Sequence, residues 1–260
     1  MKGVSKRQLL VTFVPSLSIL AIIVAVSMVF EVNVHDMAQE GAILSDLGII
    51  LWCAAAGICF FTANKLHNIK PEANSRFINC AALLTTYLMI DDFFQIHEKI
   101  IPRFFDFDEK IIYMVLVLVI ITYLVTYRHV IAQTNYTMLL LALGFFGTSV
   151  AADGIFAPME IIYVVMGMVL TVSVYLIAFN QTIFRAHFGV LLLISGLCAT
   201  FFAIESRVGQ PEYLLEDGTK WLGIACWCSY YVHTSHQFIA RAFSEKSDDW
   251  GIIREAEFPD

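Results

Sequence analysis

Long, uninterrupted apolar runs constrain this chain more than any other feature. Inside lipid, every backbone N–H and C=O needs a partner from the chain itself, so a crossing segment is a helix or part of a closed barrel. Barrel strands alternate apolar and polar residues, and these runs are continuous. The expected fold class is therefore all-α, a polytopic transmembrane helix bundle of about eight spans. The spans are drawn at 9–30, 43–64, 77–97, 110–127, 134–153, 157–180, 187–205 and 219–240. Several runs approach or exceed the roughly 18 to 20 residues that a bilayer requires.

Composition agrees. Hydrophobic residues make up 58% of the 260 and charged residues only 15%, against about 25% charged in soluble domains. A soluble fold of this size has too little interior for so much apolar surface. Residues 1–243 are read as one bundle, and 244–260 as a polar cytoplasmic tail expected to be poorly ordered. The opening MKGVSKR precedes a long run with no clear small-x-small cleavage site, so the run reads as an uncleaved first span rather than a signal peptide.

Basic residues set the expected orientation. With eight crossings, Lys2, Lys6, Arg7, Lys65, Lys70, Arg76, Arg128, Arg185, Arg241, Lys246 and Arg254 share one side. Lys99, Arg103, Lys110, Arg207 and Lys220 lie on the other. The positive-inside rule then places both termini in the cytoplasm and the protein in the cell membrane. Most acids fall on the outer side or at outer helix ends, giving a negative field that attracts cations. A solvated acidic surface explains the loop acids equally well.

The third run breaks the apolar pattern with LMIDDFFQIHEKI at 88–100. Too few residues separate Arg76 from Asp91 to cross a bilayer at 1.5 Å per residue. The helix is therefore expected to run through Asp91 and Asp92 and to end near His97 or Glu98. Asp91 would then lie about 10 Å below that end. The four, four and three spacing of Tyr87, Asp91, Gln95 and Glu98 predicts one shared face. Carboxylates at such depth seldom face lipid.

Asp46, Asp153, Glu160, Glu205, Glu216 and Asp217 stand at other predicted outer helix ends. Carboxylates with one imidazole suit zinc, manganese or iron, while an all-oxygen set suits calcium. The candidate divalent-metal ligands are Asp91, His97, Glu98, Asp153 and Glu205. Asp91, Asp92 and Glu98 are the candidate catalytic carboxylates, one of them acting as general base toward water. Ordinary pairing with Lys99, Arg103, Arg207 and Lys220 is the structural alternative, and helix capping accounts for acids at helix starts.

On the last run, Cys226, Ser229, Tyr230, His233, His236 and Gln237 form a polar stripe. His233 and His236, one turn apart, can share a metal, and with Tyr230 they mark a candidate second polar site. Their predicted depth, in the inner half, separates them from Asp91. Hydrogen-bonded interior histidines are the plain alternative. The six cysteines all lie in apolar runs and are expected as small buried residues.

The stretch DDFFQIHE resembles a group of uncharacterised bacterial multi-pass proteins with an Asp-Asp or Asp-Glu pair, a short spacer and His-Glu at the end of the third span. LLEDGTKWLGIACW is similar to their acidic opening of the last span, followed by a glycine and a tryptophan. The resemblance implies the multi-pass layout and no particular activity. A weaker similarity is to membrane zinc hydrolases of the alkaline-ceramidase type. Their SxxxH motif is absent from the third span here, and the late histidines are three rather than four apart, so no residue is carried over.

Three functions fit. The first is a metal-dependent enzyme acting on a lipid-accessible substrate. The second is a cation or proton channel or transporter, although no broken-helix pair or inverted repeat is visible. The third is a membrane sensor or scaffold with a structural acidic network. Expected partners are membrane lipid and a small lipid-accessible substrate or a cation, with self-association left open. No basic patch or recognition motif points to nucleic acid.

Overall fold

The computed structural model describes residues 6–30, 43–67, 73–105, 109–154 and 213–257. All regular structure in them is helical. The elements are α1 (Lys6–Phe30), α2 (Ile43–His67) and α3 (Ala73–Phe94), then a π-helical turn (Ile96–Ile100). They continue with α4 (Ile101–Phe105), α5 (Glu109–Thr126), α6 (Arg128–Ala132), α7 (Thr137–Gly154) and α8 (Tyr213–Glu257).

The all-α expectation holds for these residues, and three of their helices qualify as spans by length and composition. Arg7–Val26, Asp46–His67 and Ala73–Phe94 are long and apolar enough to cross a membrane. Met114–Thr126 and Thr137–Val150 are apolar but shorter. At 1.5 Å per residue each covers only about 20 Å of a roughly 30 Å hydrocarbon layer. The last helix is long, but Lys220, His233, Ser235 and His236 dilute its apolar stretch. The spans drawn at 157–180 and 187–205 lie outside the described residues. The polar tail expected to be poorly ordered is helical as far as Glu257.

Hydroxyl groups inside apolar helices need acceptors, and local geometry supplies them. Thr12 donates to the Gln8 carbonyl, Ser16 to Thr12, Thr86 to Ala82, Thr122 to Leu118 and Thr148 to Gly144, at 2.7–2.9 Å. Each bond runs back one turn, so these helices carry polar residues without opening their backbone ladders.

The chain divides into two compact units, Met1–Leu51 with Asn135–Ser229, and Trp52–Thr134 with Tyr230–Asp260. In the first, Trp221 donates its indole N–H to the Ser16 carbonyl at 3.2 Å. The Thr12 and Ser229 hydroxyls are hydrogen-bonded at 2.8 Å. Phe13 meets Phe145, and Phe146 meets Trp227 edge-on. Gly223 fits because a Cβ there would stand 2.7 Å from the Phe146 ring. A side chain at 223 would force α8 away from that ring.

In the second unit Phe77, fully buried, is the centre of an aromatic core. Tyr123 stacks on it, and Tyr127, Tyr231 and Phe238 pack around it with ring centroids 5.5–6.3 Å away. The tyrosine hydroxyls are paired within this core. Tyr123 Oη meets Tyr231 Oη at 3.0 Å, Tyr230 Oη meets Thr134 Oγ1 at 3.0 Å, and Tyr127 Oη meets Cys80 Sγ at 3.1 Å. A buried tyrosine satisfied in this way contributes its ring area without the cost of an unpaired hydroxyl.

The cysteines are less uniformly buried than their apolar surroundings suggest. Cys59 and Cys226 are buried, Cys80 and Cys228 half-buried, and Cys53 exposed with its sulfur 3.1 Å from that of Met89. Cys198 lies outside the described residues.

Candidate functional site

The third span ends differently from the spacing argument. Helix α3 stops at Phe94, and Gln95 takes left-handed dihedrals, φ 51° and ψ 47°. It is the single non-glycine residue with positive φ among the described residues. A left-handed L-residue costs roughly 1–2 kcal/mol, so surrounding contacts must hold it. After Gln95 the chain enters a wide turn. The N–H groups of Lys99 and Ile100 both reach the Gln95 carbonyl, at 2.8 and 3.4 Å, and that of Ile101 reaches Ile96. Pro102 follows and has no N–H to propagate the turn.

This reversal brings His97 onto Asp91. The imidazole Nδ1 lies 2.6 Å from Asp91 Oδ2, and the His97 backbone N–H donates to Oδ1 at 3.1 Å. Both residues are buried, Asp91 at 4% and His97 at 7% exposure. One carboxylate therefore clasps one residue through two bonds, and the shorter has the length of a charge-assisted hydrogen bond. With Nδ1–H donating to the carboxylate, the tautomer is set and the ring's acceptor lone pair is on Nε2.

Two expectations need correction here. The continuous helical face through Asp91, Gln95 and Glu98 does not exist, because the α-helix ends before Gln95. Asp91 therefore lies three residues, or about 4.5 Å, from the helix end, not about 10 Å. Both oxygens of Asp91 are bonded to His97. In a metal site that geometry belongs to the carboxylate that orients a ligating histidine.

The other candidates are placed as follows. Asp92 is half-buried in the last turn of α3. Glu98 falls in the π turn and Asp153 in the last turn of α7, while their side chains and all of Glu205 lie outside the described residues. Among the described residues no group of three or more His, Cys, Asp or Glu could hold a metal ion. Asp91 with His97 is the part of the predicted set that comes together. The expected pairing of Lys99 and Arg103 with acids does not occur among the described residues.

The stripe on the last helix separates into unlike parts. Tyr230 is buried against Thr134. His233, half-buried, lies 2.9 Å from the Gln237 amide nitrogen through Nε2, so Nε2 accepts from the amide. His236 is exposed. Hydrogen bonding within the helix accounts for His233. Sequence reasoning missed the pairing of Tyr123 with Tyr231, of Tyr127 with Cys80 and of Tyr230 with Thr134. Its signal was available, since a tyrosine in an apolar run must find a hydroxyl partner.

Among the described residues, helices alone, three of them candidate spans, and a buried carboxylate–imidazole clasp define the class. The family model described as a domain of unknown function (DUF8692) matches residues 9–160, which include this clasp, and the chain belongs to that family. No curated protein and no solved structure matches it.

Proposed function

We propose that this is an integral multi-pass protein of the cell membrane, with about eight spans and cytoplasmic termini, in which Asp91 and His97 are the core of a cation-binding site near the outer face. The observation that carries this reading is the buried 2.6 Å contact at the end of a helix long enough to cross a membrane. Asp91 holds the ring and fixes its tautomer, and His97 Nε2 takes the cation, a proton or a divalent metal. Glu98, Asp153 and Glu205 would complete a metal shell of zinc, manganese, iron or calcium type. The activity is then that of a metal-dependent enzyme on a lipid-accessible substrate. A divalent ion held there would supply Lewis acidity toward a water, and Asp92 or Glu98 would receive that water's proton.

A second reading has its own support. Both oxygens of Asp91 bond to His97, two residues past the left-handed Gln95, as a purely structural clasp in a scaffold or sensor would require.

Elemental analysis of detergent-purified protein separates the two. The enzyme reading expects about one equivalent of metal, lost in His97→Gln and bound 10- to 100-fold more weakly in Asp91→Asn. Equal, near-zero metal in all three proteins would discard it and leave the structural clasp.

A further inference from the structure

The segment after the third span carries an unusual surface. Phe93, Phe94, Ile100, Phe104 and Phe105 are all exposed within thirteen residues, as the numbering from 93 to 105 gives. Phe104, at 77%, is the most exposed large apolar side chain among the described residues. Lipid-facing apolar residues are expected along a span, but these continue past the end of α3, around the left-handed Gln95 and onto the short helix α4. Water would be a poor environment for such a patch.

Lys99 and Arg103 stand among these side chains, both exposed. Neither side chain forms an ion pair or hydrogen bond with the described residues, although the chain has 23 acidic side chains. Aromatic rings beside long basic side chains are the composition of a membrane–water boundary. The rings enter the acyl edge and the cations reach the headgroup layer. Phosphate is the anionic group present at that level.

We propose that the hook formed by residues 93–105 lies in the membrane interface and holds the phosphate of a phospholipid headgroup on Lys99 and Arg103, beside the Asp91–His97 clasp. This names a phospholipid as the ligand class presented to the clasp, and it rests on the membrane reading given above. The hook is an anchor in one leaflet and does not cross. Its backbone can lie there because the π turn and α4 satisfy most of their own N–H groups.

The test uses the full chain in phosphatidylcholine vesicles with Phe104→Trp, reading the fluorescence added over that of the four native tryptophans. The vesicles contain either brominated phosphatidylglycerol or brominated diacylglycerol. Brominated phosphatidylglycerol should quench the added tryptophan far more, with local enrichment on the order of fivefold for each cation. The excess should vanish in Lys99→Gln/Arg103→Gln, whose exposed side chains can be changed without disturbing the fold. Equal quenching by the two lipids would overturn the headgroup assignment. Quenching by aqueous iodide and by neither lipid would overturn the interfacial position. Release of the chain from vesicles by alkaline carbonate would instead remove the membrane reading on which both depend.

Discussion

The clasp at Asp91 and the histidines of the last helix began as similar patterns, acids or histidines spaced along an apolar run. Their structures differ in kind. Asp91 and His97 are six residues apart, and both are buried. In a straight α-helix that separation gives about 9 Å of rise and a turn of some 240°, so the two could not touch. A left-handed residue and a wide turn are needed to join them. His233 and Gln237 meet across one ordinary turn, half in the open, with no change in the backbone. The lesson is that backbone reversal makes a site from polar residues, whereas helical periodicity alone makes a stripe.

If that contrast is real, the clasp must be far more sensitive to mutation. Asp91→Ala leaves the His97 ring and its backbone N–H buried without their acceptor. Loss of a buried charged partner typically costs about 3–5 kcal/mol, and thermal unfolding in detergent should show a loss near the lower figure. A loss below about 1 kcal/mol would make the clasp equivalent to a surface contact.

The aromatic core comes next. Tyr231→Phe strands the Tyr123 hydroxyl and should cost about 1–2 kcal/mol. Adding Tyr123→Phe should recover much of that, because no hydroxyl is then left alone. Denaturant unfolding of the two variants side by side checks this.

The turn itself gives a smaller effect of opposite signs. Gln95→Gly relieves a left-handed residue and should be neutral or stabilising by up to about 1 kcal/mol, while Gln95→Val should destabilise by about that amount. Equal effects would mean that the reversal at 95 is not under strain.

The smallest effect belongs to the stripe. His233→Ala should change stability by less than about 1 kcal/mol, since it removes one local hydrogen bond near the surface. A loss as large as that of Asp91→Ala would erase the distinction between the two regions.

Much of the helix layout was legible. The runs at 9–30 and 43–64 correspond to α1 and α2 within a few residues, because continuous apolarity is a strong signal of a helix suited to lipid. Asp46 stands in the first turn of α2 and Asp153 in the last turn of α7, as their positions at run ends suggested. Asp91 and His97 were both legible as polar residues breaking an apolar run. Their direct bond was not, because it depends on Gln95. Left-handed positions are normally marked by glycine or asparagine, and a glutamine gives no warning. On the last run, Lys220 and two histidines dilute the apolar stretch, and a helix crossing lipid must place each of them.

The central claim is that Asp91 and His97 form one buried unit closing the third span. A double-mutant cycle of Asp91→Ala and His97→Ala, followed by unfolding in detergent, measures that unit directly. The structure predicts a coupling of at least about 2 kcal/mol. Effects that add to within about 0.5 kcal/mol would contradict it.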